Sequence, residues 1–167
     1  GARLSFDQQI SNFKNTIQDI TAQLGSTEAA SNFLSKSIFA LSFGSNDYIN
    51  NFLQPQLYAT SFIYSPQAYR GLLLQEYSRQ LKELYALGAK KFVVSLLGPL
   101  GCIPQQLASV NSNGFCVQRV NDLAQDFNSG LGDMLNDLNN NLVGAKFIYQ
   151  TSAYNTVLDT INNPATY

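Results

Sequence analysis

The sequence contains no histidine, and this absence limits the chemistry that the chain can perform by itself. Histidine is the usual general base of serine hydrolases, a common metal ligand and the side chain that titrates nearest to neutral pH. A Ser-His-Asp triad, a histidine-ligated metal site and a histidine general base therefore cannot be completed within these 167 residues.

Charged residues are also scarce, at 13% of the chain, and the formal net charge is −1. Nucleic acids and anionic membranes select strongly basic surfaces, so we expect neither as a partner. No apolar run approaches the ~18 residues that a transmembrane helix needs. The polarity comes from 17 Asn, 14 Gln and 16 Ser, while 11 Phe and 9 Tyr supply material for a core.

The chain has only two cysteines, Cys102 and Cys116, on either side of a polar loop. Two thiols without histidine make a poor metal site, so we predict that no metal is bound. In a cytosolic protein the pair would be free buried thiols. The sparse charge and the abundant Asn, Gln and Ser favour the other interpretation, an oxidising compartment and a disulfide between them.

Apolar residues repeat at helical spacings in three long segments and at strand-like density in three short ones. The helical period covers residues 6–24, 66–87 and 117–138, with shorter helical stretches in 26–36 and 154–161. Compact apolar runs at 37–43, 91–97 and 146–150 predict buried strands, and 46–65 predicts a packed aromatic loop. Strands that alternate with helices indicate an α/β fold with a parallel sheet and helices on both faces.

The two ends of the sequence look internal to a longer chain. It opens at Gly1 without a methionine or a signal-peptide pattern, and it stops at Tyr167 soon after a proline. We therefore expect residues 1–167 to be the central part of a single domain, incomplete at both ends. The strand at 37–43 should then have an unpaired edge.

In parallel α/β sheets, functional residues collect in the loops that follow the strands. After the first strand come Gly44, which permits a tight turn, and Asn46 and Asp47, whose side chains bond to nearby backbone. One interpretation is a turn without chemistry. The other is that the Asn46 amide points into a cleft and donates hydrogen bonds to an oxyanion. The loop after the second strand, residues 98–104, is rich in Gly and Pro, and we interpret it as architecture.

Several motifs follow one another in a fixed order along essentially the whole chain. They are Leu34-Ser35-Lys36-Ser37 leading to Gly44-Ser45-Asn46-Asp47-Tyr48, Leu84-Tyr85-Ala86-Leu87-Gly88-Ala89-Lys90-Lys91, Gly98-Pro99-Leu100-Gly101-Cys102-Ile103-Pro104, Val120-Asn121, Phe127-Asn128, and Asn163-Pro164 with Tyr167. Together they resemble the plant GDSL-type esterase/lipase family of the SGNH hydrolase superfamily. The resemblance implies a flavodoxin-like three-layer α/β/α sandwich with a parallel sheet.

The same resemblance implies a secreted enzyme that cleaves carboxylic esters of lipids or acylated small molecules without a cofactor. Asn46 would be an oxyanion-hole donor, and Gly44 and Asp47 would shape the turn that holds it. The family's Gly-Asp-Ser nucleophile segment and its Asp-x-x-His segment are absent from these residues, so we expect this piece alone to be inactive. The alternative is a non-catalytic α/β binding module, which explains the missing histidine without further chain.

Overall fold

The computed structural model describes residues 3–109 and 113–167, which alternate between helices and short strands. The helices are α1 (Phe6–Leu24), α2 (Thr27–Lys36), α3 (Ser45–Asp47), α4 (Thr60–Ile63), α5 (Pro66–Ala86), α6 (Pro104–Ser109), α7 (Gln118–Asn141) and α8 (Ala153–Asn162). The strands are β1 (Ile38–Leu41), β2 (Lys91–Val94) and β3 (Lys146–Ile148). A π-helical segment occupies Tyr48–Phe52, and short 3-10 helices occupy Leu100–Cys102 and Pro164–Thr166.

Helices α1 and α5 begin and end close to where the sequence predicts, whereas α7 continues to Asn141, three residues beyond the predicted end. Helix α1 starts with a capping box, in which the Ser5 side chain accepts the Gln8 backbone N–H and the Gln8 side chain accepts the Ser5 backbone N–H. It ends at Gly25, in the left-handed conformation at φ 80°. Helix α5 is capped by the Ser65 side chain and has Pro66 in its first turn.

The three strands form one parallel sheet in the order β1-β2-β3, so β1 lies at an edge of the sheet in the described residues. In its register, Phe39, Phe92 and Phe147 are neighbours on one face. The Phe39 and Phe92 rings are 5.8 Å apart and those of Phe92 and Phe147 are stacked at 4.3 Å. The predicted α/β class with a parallel sheet is confirmed.

The prediction that the strands are fully buried was wrong, and the strands are also shorter than predicted. Their other face is open in the described residues: Ile38 is 70% exposed, Val93 41% and Ile148 49%. An apolar run in the sequence does not show which of the two faces a helix covers. Here α1, α5 and α7 form one core with the face of the sheet that carries the phenylalanines. Successive residues of a strand point to opposite faces, so buried and exposed residues alternate along β2.

Residues 46–65 differ from the predicted loop as well. They contain α3, the π-helical segment and α4, and their aromatic side chains pack inward. Irregular spacing arose because three short helical pieces with different windings follow one another. No helix in the described part of the chain is long and apolar enough to cross a membrane.

Candidate functional site

The loop after β1, residues 43–48 and named here the β1 loop, turns sharply at Gly44. This residue has a backbone φ of 112°, a value that residues other than glycine rarely adopt. A Cβ atom there would lie 3.0 Å from the Phe127 ring and 3.3 Å from the Leu97 side chain. The Gly44 carbonyl accepts the backbone N–H groups of Asp47 at 3.1 Å and Tyr48 at 3.3 Å. Conformation and close packing therefore both require glycine at this position.

Asn46 is exposed on this turn, and its side-chain amide bonds to one neighbour. Its Oδ1 accepts a hydrogen bond of 3.0 Å from Nδ2 of Asn50, four residues later in the π-helical segment. Its own Nδ2 donates to no residue within 3–109 or 113–167. The Asn46 side-chain oxygen is therefore bonded within the protein, and its two N–H groups are available with respect to the described residues. Such a group can stabilise negative charge that develops on an oxygen.

Asp47 is half-buried and connects the β1 loop to α5. Its carbonyl oxygen accepts a hydrogen bond of 3.1 Å from the Tyr69 hydroxyl. Burial raises the pKa of the Asp47 carboxyl above its ordinary value, while its own backbone N–H and the charge of Arg3 act in the opposite direction. The contact to Tyr69 is made by the backbone, so it does not depend on the carboxylate.

An aromatic cluster beneath the β1 loop fixes the turn against the core. Tyr48 is 1% exposed, and its ring meets those of Tyr69 at 5.7 Å and Phe127 at 5.9 Å in edge-to-face geometry. Phe52 stacks on Tyr69 at 4.9 Å. Burial among these rings raises the pKa of Tyr69 to about 12.

The loop after β2, residues 98–104 and named here the β2 loop, is held differently. A Cβ atom on Gly101 would lie 2.2 Å from the Val117 carbonyl oxygen. The Gly101 N–H donates to Oδ1 of the buried Asn121 at 2.7 Å, and Nδ2 of Asn121 contacts the Cys102 sulfur at 3.6 Å. The structure joins Cys102 to Cys116 by a disulfide, with a Cα–Cα distance of 4.4 Å. The Gly101 N–H and the Cys102 sulfur of this loop therefore have their partners within the protein.

Helix α7 contacts the chain just after β1 and just after β2, and the sequence did not predict this role. Phe127 packs against Gly44, and the side chain of Asn128 bonds twice to the backbone of Leu97, at 2.7 Å and 2.8 Å. Asn121 supports the β2 loop one to two turns earlier on the helix. A polar residue on the apolar stripe of α7 was the available signal for these contacts.

Gly44, Asn46 and Asp47 therefore lie together in one turn at the carboxyl end of β1, whereas Cys102 and Cys116 lie in the β2 loop and before α7. Asn50 is the one further polar partner of Asn46 in the described residues, and only its spacing of four could have indicated it. Among residues 3–109 and 113–167, no group of three His, Cys, Asp or Glu side chains could hold a metal ion.

Comparison with known proteins identifies the family. The model of the GDSL-like Lipase/Acylhydrolase family matches residues 1–163. The chain belongs to this family. GDSL esterase/lipase At1g29670 of Arabidopsis thaliana is 40% identical over 167 residues, which cover 100% of this chain and 46% of the relative. GDSL esterase/lipase 7 of the same plant is 43% identical over 170 residues, with 100% and 46% covered.

Membership in the GDSL family confirms the resemblance drawn from the motifs. The chain spans about half the length of the curated relatives it matches. Of the residues that the resemblance assigns to the chemistry, the described part of the chain contains Asn46 with its turn.

Proposed function

We propose that the protein is a carboxylic ester hydrolase and that Asn46 donates a hydrogen bond to the oxyanion of its transition state. Lipids and acylated small molecules are the proposed substrate classes. The observation that carries the proposal is the Asn46 amide, whose oxygen accepts a hydrogen bond from Asn50 while its N–H groups donate to none of the residues that the structure describes. Family membership supports the proposed reaction type.

The proposed reaction is acyl transfer through a serine ester. A serine oxygen attacks the ester carbonyl, a histidine takes the serine proton, and an aspartate orients the histidine. The carbonyl oxygen becomes negative in the tetrahedral intermediate, where Asn46 and two backbone N–H groups stabilise it. The histidine is not among these 167 residues, and the relatives are about twice as long. We therefore assign the nucleophile and the His-Asp pair to parts of the protein outside this sequence.

Secretion is part of the same proposal. The bond between Cys102 and Cys116 supports it, because structural disulfides persist mainly in oxidising compartments. A neutral, amide-rich composition with a net charge of −1 agrees with small-molecule or lipid ester substrates rather than polyanions.

The test is hydrolysis of p-nitrophenyl butyrate by the full-length protein, together with covalent labelling by a fluorophosphonate probe. We expect turnover, a labelled serine and loss of turnover on labelling. The 167-residue piece alone, lacking histidine, should show no turnover above background. A folded full-length protein that neither hydrolyses short-chain esters nor reacts with the probe would instead be a binding module.

A further inference from the structure

A cleft of about 630 Å³ lies between the chain that follows the β1 loop and the start of α7. We name it the Gln106 cleft. One wall is formed by Phe52, Leu53 and Pro55, and Pro66 and Leu123 complete its apolar surface. Its position links it to the candidate site, because Phe52 ends the same π-helical segment in which Asn50 holds Asn46. The cleft has both an apolar surface and a small set of polar groups, as ligand sites commonly do.

The amide of Gln106 is the first sign of a ligand. This residue lines the cleft and is only 5% exposed, yet its side chain has no hydrogen-bond partner among residues 3–109 and 113–167. Its backbone is well held, since its N–H donates to the Ile103 carbonyl at 2.9 Å and its carbonyl accepts the Ser109 hydroxyl at 3.0 Å. The side-chain amide is not one of the fully buried unpaired polar atoms, of which the described residues contain only the Tyr77 hydroxyl, so it is open to the cleft and can donate a hydrogen bond to a molecule that enters it.

Charge gives the second sign. Among the described residues that line the cleft, Arg119 is the only charged one, and its exposed side chain forms no ion pair with residues 3–109 or 113–167. It lies in the first turn of α7, where the helix dipole is unfavourable for a cation. That turn contains no acidic residue, and Val117 provides no side-chain cap. An anion in the cleft would neutralise Arg119 and complement the helix N-terminus together.

We propose that the Gln106 cleft binds an amphiphilic oxyanion, a carboxylate or phosphate attached to a hydrocarbon group. Arg119 pairs with the anion, Gln106 donates a hydrogen bond to it, and the hydrocarbon lies against the apolar wall that includes Leu53 and Leu123. The identification of this ligand as a substrate or product of ester cleavage rests on the proposed function. The binding itself does not.

Calorimetric titration of the full-length protein with three unreactive probes tests the proposal. Hexyl phosphate carries both parts of the ligand, inorganic phosphate carries the anion alone, and hexyl glucoside carries a neutral polar group. We expect hexyl phosphate to bind at least roughly tenfold more tightly than either other probe, and its affinity to fall with salt. Equal binding of hexyl glucoside, equal binding of inorganic phosphate, or no binding of hexyl phosphate would overturn the proposal.

Variants assign the binding to the cleft. Arg119→Gln should weaken hexyl phosphate binding roughly tenfold, the size of one charge-assisted hydrogen bond. Lys82→Gln removes an exposed cation elsewhere and should change the affinity less than about twofold. Gln106→Met keeps the side-chain volume, should weaken binding to a similar extent and should leave the melting temperature unchanged or raised. Unaltered affinity in a folded Arg119→Gln protein would overturn the assignment.

The outcomes separate this inference from the proposed function. A protein that binds hexyl phosphate through Arg119 but hydrolyses no ester supports the cleft and contradicts the esterase. A protein that hydrolyses esters but binds none of the three probes contradicts the cleft and supports the esterase.

Discussion

The β1 loop and the β2 loop follow neighbouring parallel strands, and both contact α7. They differ in whether the asparagine amide at each loop has all its hydrogen-bond partners within the protein. At the β2 loop, the side chain of Asn121 on α7 accepts a hydrogen bond from the Gly101 N–H and contacts the Cys102 sulfur, so both ends of its amide have partners within the protein. In the β1 loop, Asn50 donates to the side-chain oxygen of Asn46, and the Asn46 side-chain N–H groups donate to none of the described residues. A fully satisfied amide indicates architecture, and a half-satisfied, oriented amide indicates capacity for chemistry.

The difference has a simple physical origin. An asparagine that caps a glycine N–H in the interior lowers the cost of burial at that point. An exposed amide that is held by one neighbour costs little to maintain and is already oriented for a donor role. Substitutions in the two loops should therefore separate: those in the β2 loop should reduce stability, and those in the β1 loop should reduce turnover.

The largest expected effect is that of Asn46→Ala on the catalytic rate of the full-length protein. Removal of one oxyanion donor typically lowers kcat by about 10²–10³, or roughly 3–4 kcal/mol. The loss should fall on kcat more than on KM, because the charge develops in the transition state. Steady-state hydrolysis of p-nitrophenyl butyrate and a thermal melt measure both quantities.

A second variant at the same position, Asn46→Asp, is compared with Asn46→Ala. Its carboxylate repels an oxyanion, so its loss of kcat should be at least as large as that of Asn46→Ala. Both proteins should melt near the wild-type temperature, since the residue is exposed. Wild-type kcat in a folded Asn46→Ala protein would show that the amide only forms the turn.

Gly101→Ala should produce the largest loss of stability. The new methyl group would lie 2.2 Å from the Val117 carbonyl oxygen and 2.9 Å from Oδ1 of Asn121. Backbone atoms cannot move away as a flexible side chain can, and overpacking of this kind costs about 3 kcal/mol. Urea unfolding measures the loss. Gly98→Ala is the matched control, because nothing lies within 4 Å of its added methyl group. Equal stability of the two variants would contradict the close approach at Gly101.

Loss of the disulfide should cost somewhat less. The bond between Cys102 and Cys116 spans a sequence separation of 14, for which the chain-entropy ceiling is about 3 kcal/mol. We expect the double variant Cys102→Ser, Cys116→Ser to lose about 2 kcal/mol in urea unfolding while kcat stays near wild type. Peptide mapping of the full-length protein without reductant should recover the two cysteines in one linked pair. Recovery of both thiols in the free form would refute the prediction.

Much of the fold was predictable because local rules decide it. Ser5 with Gln8 and Gly25 mark the ends of α1, and Ser65 with Pro66 marks the start of α5, as the structure shows. The position of Asn46 after a strand was predictable for the same reason. The burial of the strands was not, because it depends on which elements cover each face and not on the strand itself.

The support of the site was harder to predict because it is long-range or irregular. Asn128 contacts Leu97 across 31 residues, and no local pattern relates the two positions. Its place on the apolar stripe of α7 shows only that a polar group is turned inward and needs a partner. Asn50 lies four residues from Asn46, but the spacing was hidden because the apolar pattern around it follows no single helical period.

Asn50→Ala sharpens the comparison by removing the orientation of Asn46 and leaving its amide in place. Loss of one hydrogen bond of this kind is worth about 1 kcal/mol, so kcat should fall roughly fivefold with KM nearly unchanged. A double-mutant cycle with Asn46→Ala measures whether the effect of Asn50 on kcat depends on the Asn46 side chain. If Asn50 acts only through Asn46, the double variant should be no slower than Asn46→Ala alone. Additive losses would show that Asn50 acts on its own.

The smallest expected effect is that of Asp47→Asn, and its sign depends on pH. Because burial raises the pKa of the folded-state carboxyl above its ordinary value of 3.8, the charged form destabilises the native protein. The penalty is complete above the folded-state pKa and disappears as pH falls through that value to the unfolded one.

Asp47→Asn should therefore be slightly more stable than wild type at pH 7, and the difference should shrink on acidification. Turnover should fall far less than in Asn46→Ala, since the contact to Tyr69 is made by the Asp47 carbonyl oxygen and survives the substitution. Thermal melts of both proteins between pH 7 and acidic pH measure the difference. A variant that is less stable than wild type at pH 7 would mean that the carboxylate holds the turn through its charge. That result would contradict the view that backbone contacts hold the β1 loop while the side chain of Asn50 holds the Asn46 donor.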